Sequence, residues 1–93
     1  MKPSEPKGVL FPSAENSLED TKRFLIRISV FPLNKQMKII DDFLRSLANQ
    51  NRMFKTLIVR SKNGNESKTL EKHSFWCVQS SALAVKHRAK LED

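Results

Sequence analysis

The side chains best suited to covalent chemistry are His73 and Cys77, which lie four residues apart. A cysteine can act as an activated nucleophile if a histidine imidazole reaches its thiol. The surrounding run, residues 74–79, is apolar and typical of a strand, and in a strand the two side chains lie on one face about 13 Å apart. That distance is too long for proton transfer, so the pattern does not favour a catalytic pair.

Other reactive groups are also poorly placed for catalysis or metal binding. Two histidines and one cysteine cannot fill a usual structural zinc site without carboxylates, and no Cys-x-x-Cys or His-x-x-x-His spacing is present. Asp41 and Asp42 are adjacent on a predicted helix, so their side chains diverge by about 100°. His87 lies among basic residues, which is typical of a surface position. The only glycines are Gly8 and Gly64, so the chain has no glycine-rich loop of the kind that binds phosphate in enzymes. We therefore predict no enzymatic activity, no metal and no cofactor.

The charge distribution favours a binding protein. The 93 residues include 17 basic and 10 acidic side chains, for a net charge of +7. Residues 1–21 contain two lysines and four acidic residues, so residues 22–93 carry a net charge of +9. A density of this kind accelerates encounters with polyanions or acidic protein surfaces. A solvated surface that maintains solubility is the alternative.

Cysteine use and hydropathy indicate the compartment. A single cysteine excludes an intramolecular disulfide, which favours a reducing, intracellular location. The first residues lack the apolar stretch of a signal peptide, and no segment approaches the ~20 apolar residues of a membrane span. We expect a cytoplasmic protein, or a nuclear one if the source is eukaryotic, that does not contact a membrane.

The chain divides into a tail and one domain. Residues 1–21 hold three of the four prolines, so we predict a flexible tail there and a single domain over 22–93. The domain begins with the alternating run 24–32, which predicts a strand with Phe24, Ile26, Ile28 and Val30 on its core face.

A helix and two further strands are predicted next. Asn34 is a suitable N-cap for a helix that extends to about Asn49. Its apolar stripe comprises Met37, Ile40, Phe43, Leu44 and Leu47. Residues 53–60 and 74–79 are then predicted strands, and the Asn63-Gly64 pair between them favours a hairpin turn. After Gln79 the periodicity becomes helical, with Ala82, Val85 and Ala89 on one stripe.

The resulting β-α-β-β-α order predicts an α+β fold, a two-layer sandwich in which helices cover one face of a small antiparallel sheet. Residues 26–31 and 73–80 resemble the first-strand and third-strand signatures of the RNA recognition motif, a ferredoxin-like family, and the resemblance covers residues 22–93. It implies that Phe75 stacks on a base. Arg27 and Cys77 stand where the family has aromatic residues, and Ser74 stands where it has glycine.

Two functions follow from this fold. The first is binding of nucleic acid, RNA or another single strand, through the basic sheet face. The expected contacts are Arg23, Arg27, Lys55, Arg60, Lys62, Lys72, Phe75, Lys86, Arg88 and Lys90. The alternative is a protein-interaction module or assembly subunit that binds an acidic protein partner. Its open sheet edge would be completed by residues 8–11, by a second copy in a homodimer or by the partner.

Overall fold

The fold is a bundle of three α-helices. The computed structural model describes residues 10–93, and this part of the chain contains no strand. Helix α1 is Leu18–Arg27, α2 is Leu33–Arg60 and α3 is Gly64–Glu92, with a 3-10 turn at Ile28–Val30 after α1. The predicted α+β sandwich of ferredoxin-like type is therefore wrong, and the resemblance to an RNA recognition motif is not supported.

Helix α1 occupies the run that was predicted to be the first strand. Its buried side chains are Thr21, Phe24 and Leu25, followed by Ile28 in the 3-10 turn. These positions recur every three or four residues, which is the period of a helix. Ile26 and Val30 were expected on the core face but are exposed. At the start of the helix, the Asp20 carboxylate accepts a hydrogen bond from the Ser17 backbone N–H at 3.2 Å, which is half of a capping box.

Helix α2 is 28 residues long, or about 42 Å. The helix predicted over residues 34–49 is present as its first part, with Ile40, Phe43 and Leu47 fully buried. It does not end near residue 50, because the polar side chains there have partners: Asn51 accepts a hydrogen bond from the Ser74 hydroxyl. The second predicted strand, 53–60, is the last part of the same helix.

Helix α3 begins at the dipeptide predicted to form a hairpin turn. The Asn63 side chain accepts hydrogen bonds from the backbone N–H groups of Asn65, at 2.8 Å, and Glu66, at 3.4 Å. This is an N-cap, which satisfies amides that have no partner inside the helix. The third predicted strand, 74–79, lies within α3, and the terminal helix predicted after Gln79 is its second half.

Helices α2 and α3 form an antiparallel hairpin, and α1 packs against it. The Arg88 guanidinium contacts Asp41 near one end, at 2.8 Å from Nε to Oδ1, and the His73 ring lies 5.2 Å from that of Phe54 further along. The Phe24 ring of α1 lies 4.9 Å from that of Phe43 in α2.

Two further observations concern the segment before α1. The Phe11 ring packs 5.7 Å from that of Phe24 and 5.4 Å from that of Phe43, so it joins the aromatic core. The predicted boundary between tail and domain at residue 21 falls inside α1, where Thr21 is fully buried. Residues 8 and 9 of the apolar island that was expected to fill a sheet edge lie outside the described residues.

Candidate interaction surface

An uncovered apolar row runs along the outside of α3. We call it the outer stripe, and its members are Phe75, Val78, Ala82, Val85 and Ala89. All five are exposed, including Phe75 at 62%. They are spaced alternately three and four residues apart, which is the spacing that lets one helix pack along another. The stripe is about 21 Å long.

The opposite side of α3 faces the core. Trp76, Cys77, Ser80 and Ala84 are buried there. At 100° per residue the two rows lie on nearly opposite sides of the helix. Ala82, Val85 and Ala89, predicted to share one stripe of a terminal helix, do share one stripe of α3, but this stripe is exposed, and the buried residues nearby are Ser80 and Ala84. A helix needs only one apolar side to pack against the core of its own protein, so the second apolar side of α3 is left uncovered within residues 10–93.

Basic residues line one margin of the outer stripe. We call this margin the lysine edge, and it comprises Lys68, Lys72, Lys86 and Lys90. All four are exposed, and among residues 10–93 none forms an ion pair. The other margin carries Ser81 and Arg88. Glu71 is the only acidic residue between positions 68 and 90. The outer face of α3 is therefore apolar along its centre and cationic along one margin.

A cleft of about 240 Å³ separates α1 from α3 beside the lysine edge. Leu25 and Leu83 line it together with Ile26, which is 68% exposed. Lys22, Lys86 and Lys90 line the same cleft. His87 also borders the cleft, and burial, assisted by the positive charge of Lys90, lowers the pKa of its imidazole. The imidazole is therefore favoured in its neutral form.

The residues predicted to bind nucleic acid do not share one surface. Arg23 and Arg27 are on α1, Lys55 and Arg60 on α2, and Lys62 in the α2–α3 connection, and the remainder are on α3. The structure brings together four of the ten: Lys72, Phe75, Lys86 and Lys90, all on the outer face of α3. The basic sheet face on which these residues were expected to lie is wrong, because residues 10–93 form no sheet. Nucleic-acid binding by these residues stays a prediction.

Two of the predicted contacts are already engaged within the protein. The Arg88 guanidinium donates hydrogen bonds to both carboxylate oxygens of Asp41 and to Glu92. The hydrogen bond to Asp41 is the main cause of the raised pKa of Arg88. Arg23 lies 3.5 Å from Asp20. Arg88 therefore holds α3 against α2 and is less available to a ligand than the lysines of the lysine edge.

The sequence interpretation did not include Lys22 and Lys68 among the binding residues, and it did not join Phe75 and Val78 to the stripe of Ala82, Val85 and Ala89. The pattern that joins them is an apolar row between positions 75 and 89, offset from the row that contains Cys77, Ser80 and Ala84. That row becomes visible only when residues 64–92 are placed on a single helix, because a strand over residues 74–79 divides it.

Catalytic chemistry finds no support at the two residues first considered. Within α3 the side chains of His73 and Cys77 lie on successive turns, so the separation of about 13 Å expected in a strand is wrong. Cys77 is only 1% exposed, and burial raises the pKa of its thiol. A thiol in that state is a poor nucleophile.

Residues 10–93 contain neither clustered metal ligands nor a membrane-spanning helix. Within this range no three histidine, cysteine, aspartate or glutamate side chains come together as a metal site. No helix of the same range combines the length and apolar character needed to cross a membrane. No protein-family model, curated protein sequence or solved structure matches the chain.

Proposed function

We propose that this protein is a small helical docking module that binds an amphipathic helix of another protein along the outer stripe of α3. The supporting observation is that α3 is apolar on two sides and only one of them is covered within residues 10–93. Exposed apolar surface of this kind marks interaction sites. The three-four spacing of the stripe matches the way a helix lies in an apolar groove.

The charges beside the stripe favour a different protein over a second copy. In an antiparallel pair of identical helices, the same margin of each helix meets, so Lys72 and Lys86 would face lysines of the other copy. In a parallel pair, the lysine edge would meet the margin that carries Ser81 and Arg88. The carboxylate of that margin, Glu92, already pairs with Arg88. Neither arrangement neutralises the lysines, so the occupant should supply carboxylates of its own.

A second candidate function is contact with a polyanion such as nucleic acid. It is favoured by the positive charge at the end of the hairpin where α2 connects to α3. Residues 52–72 hold six basic and two acidic residues and form no ion pair with one another. Such a cluster attracts phosphates without specifying a sequence. Phe54, the one aromatic residue within 52–72, is buried, so the cluster itself lacks the exposed stacking groups that single-strand binding uses, and we rank this function second.

Binding to a designed acidic helical peptide, with leucines on one face and glutamates beside them, tests the docking proposal. A fluorescent label on the peptide allows its affinity to be measured by anisotropy. Phe75→Ser should weaken binding about tenfold, as removal of a central aromatic contact does. Val59→Ser is the matched control, because Val59 is exposed on α2 away from the stripe, and it should change affinity less than about twofold.

Two results would contradict the docking proposal. One is equal loss of affinity in Phe75→Ser and Val59→Ser, which would show that the peptide does not use the stripe. The other is binding of a labelled single-stranded oligonucleotide by a protein that shows no saturable binding of the acidic peptide. That outcome would favour the polyanion function.

A further inference from the structure

We infer that the cleft between α1 and α3 is an anchor pocket for one apolar side chain of the partner, flanked in the partner sequence by carboxylates. This inference rests on the proposed function, because the cleft opens beside the outer stripe. It adds a requirement on the partner: the apolar row of its helix is accompanied by acidic residues on the side that faces α1.

The size and lining of the cleft set what can enter it. Its volume is about 240 Å³, whereas an engineered apolar cavity of about 150 Å³ accepts a benzene ring. One large side chain therefore fits. The lining includes buried Leu25, half-buried Leu83 and exposed Ile26. Covering Ile26 removes apolar surface that the protein otherwise leaves in water, which favours an apolar occupant.

The charge at the rim sets what must accompany that side chain. Lys22 comes from α1, whereas Lys86 and Lys90 come from α3, so cations stand on both sides of the cleft. Among residues 10–93 none of the three has an ion-pair partner. A bare apolar ligand seated among these lysines would partly dehydrate their amino groups without supplying a counter-charge, which is unfavourable. Carboxylates next to the apolar anchor supply the missing counter-charges.

The cleft and the outer stripe form one continuous surface through Lys86. On the helix, Lys86 lies one turn from both Ala82 and Ala89, which belong to the stripe. It also lines the cleft. Alanines are small, so a partner helix can approach α3 closely at this point and extend a side chain across Lys86. One ligand can therefore occupy the stripe and the cleft together.

Variants of α1 test the pocket without altering the stripe. The probe is the designed acidic peptide with leucines on one face, measured by fluorescence anisotropy on the full chain. Ile26→Ser should weaken binding about fivefold, and Lys22→Glu about tenfold, because each removes one of the two features of the pocket. Matched controls are Val30→Ser, an exposed apolar residue just after α1, and Lys35→Glu, an exposed lysine on α2. Both should change affinity less than about twofold.

A second peptide separates the pocket from the docking site. In it the glutamates are replaced by glutamines, so that charge is lost while length and apolar pattern remain. The inferred pocket predicts that this peptide binds more weakly and no longer distinguishes Lys22→Glu from the unaltered protein. If Ile26→Ser and Lys22→Glu bind the acidic peptide normally while Phe75→Ser does not, the pocket is refuted and the docking site stands. If Phe75→Ser also binds normally, the docking proposal fails as well.

Discussion

The hydrogen bond between the Thr21 and Ser80 hydroxyls connects α1 to α3 and offers a quantitative test of the packing. The two oxygens are 2.8 Å apart and both residues are fully buried. Removal of one hydroxyl leaves the other buried without its partner, at a cost of about 1–3 kcal/mol, whereas removal of both is close to neutral. The two single changes should therefore be strongly non-additive.

The expected sizes differ between the two variants. Thr21→Val preserves the shape of the side chain, so it should cost about 1–2 kcal/mol. Ser80→Ala gains about 0.5 kcal/mol of helix propensity and should cost correspondingly less. The double variant should be less destabilised than the sum of the singles by about 1 kcal/mol. Thr69→Val is the control, because Thr69 is exposed on α3 and should change stability by less than about 0.5 kcal/mol.

Urea unfolding, followed by far-UV circular dichroism and by the fluorescence of Trp76, measures these free energies. Trp76 is the only tryptophan of the chain and is buried, so its emission reports on the core. Additivity of the two changes within about 0.5 kcal/mol would refute the contact between α1 and α3.

Three further variants or treatments test other parts of the core. Phe43→Ala should lower the free energy of unfolding by about 3–5 kcal/mol in urea titrations, because Phe43 is fully buried and its ring lies 4.9 Å from that of Phe24; a loss below about 1 kcal/mol would contradict this packing. Cys77 should react with a thiol reagent only after unfolding, because it is buried and burial raises its pKa; fast reaction of the folded protein would contradict its position. The pKa of His87 is lowered in the folded state. Below the ordinary histidine pKa of about 6.5, the unfolded protein therefore binds more protons than the folded protein, and the free energy of unfolding should fall as the pH drops. The melting temperature should change less between about pH 7.5 and 5.5 in His87→Gln than in the unaltered protein, and an equal change in both would contradict the lowered pKa.

The first half of α2 and the second half of α3 could be predicted as helical from the sequence, whereas α1 and the remaining parts of α2 and α3 could not. Between residues 34 and 49, apolar residues recur with the 3.6-residue period of a helix, and three of them, Ile40, Phe43 and Leu47, are fully buried. Over residues 24–31 the same apolar content fits a strand or a helix, because a short apolar run does not distinguish the two. The choice is made by tertiary packing: Phe24 meets Phe43, and Thr21 meets Ser80.

Helix ends were misplaced because polar residues were taken as boundaries. Asn51 lies within α2, where its side chain accepts a hydrogen bond from Ser74 of α3. The Asn63-Gly64 pair is compatible with a hairpin turn and with a helix start, and the Asn63 side chain caps α3. Both assignments depend on partners distant in sequence or on a local conformation, neither of which periodicity reveals.

The candidate surface was only partly predictable for the same reason. The basic character followed from composition. Phe75 was expected at the surface only because the resemblance to the RNA recognition motif, which the fold does not support, placed it against a base. The outer stripe was not predicted, because it exists only if residues 64–92 form one helix. Once that helix is in place, the row from Phe75 to Ala89 and the lysine edge follow from 100° per residue.

The central claim is that a partner helix binds the outer stripe, and the methyl groups of valine test it most directly. Among residues 10–93 the four valines are all exposed: Val78 and Val85 lie on the stripe, whereas Val30 and Val59 lie elsewhere. Titration of valine-labelled protein with the acidic helical peptide, followed by methyl-resolved NMR, observes all four at once. The account predicts saturable shifts of the Val78 and Val85 methyl signals with those of Val30 and Val59 unchanged. Shifts confined to Val30 and Val59, or equal at all four, would contradict it.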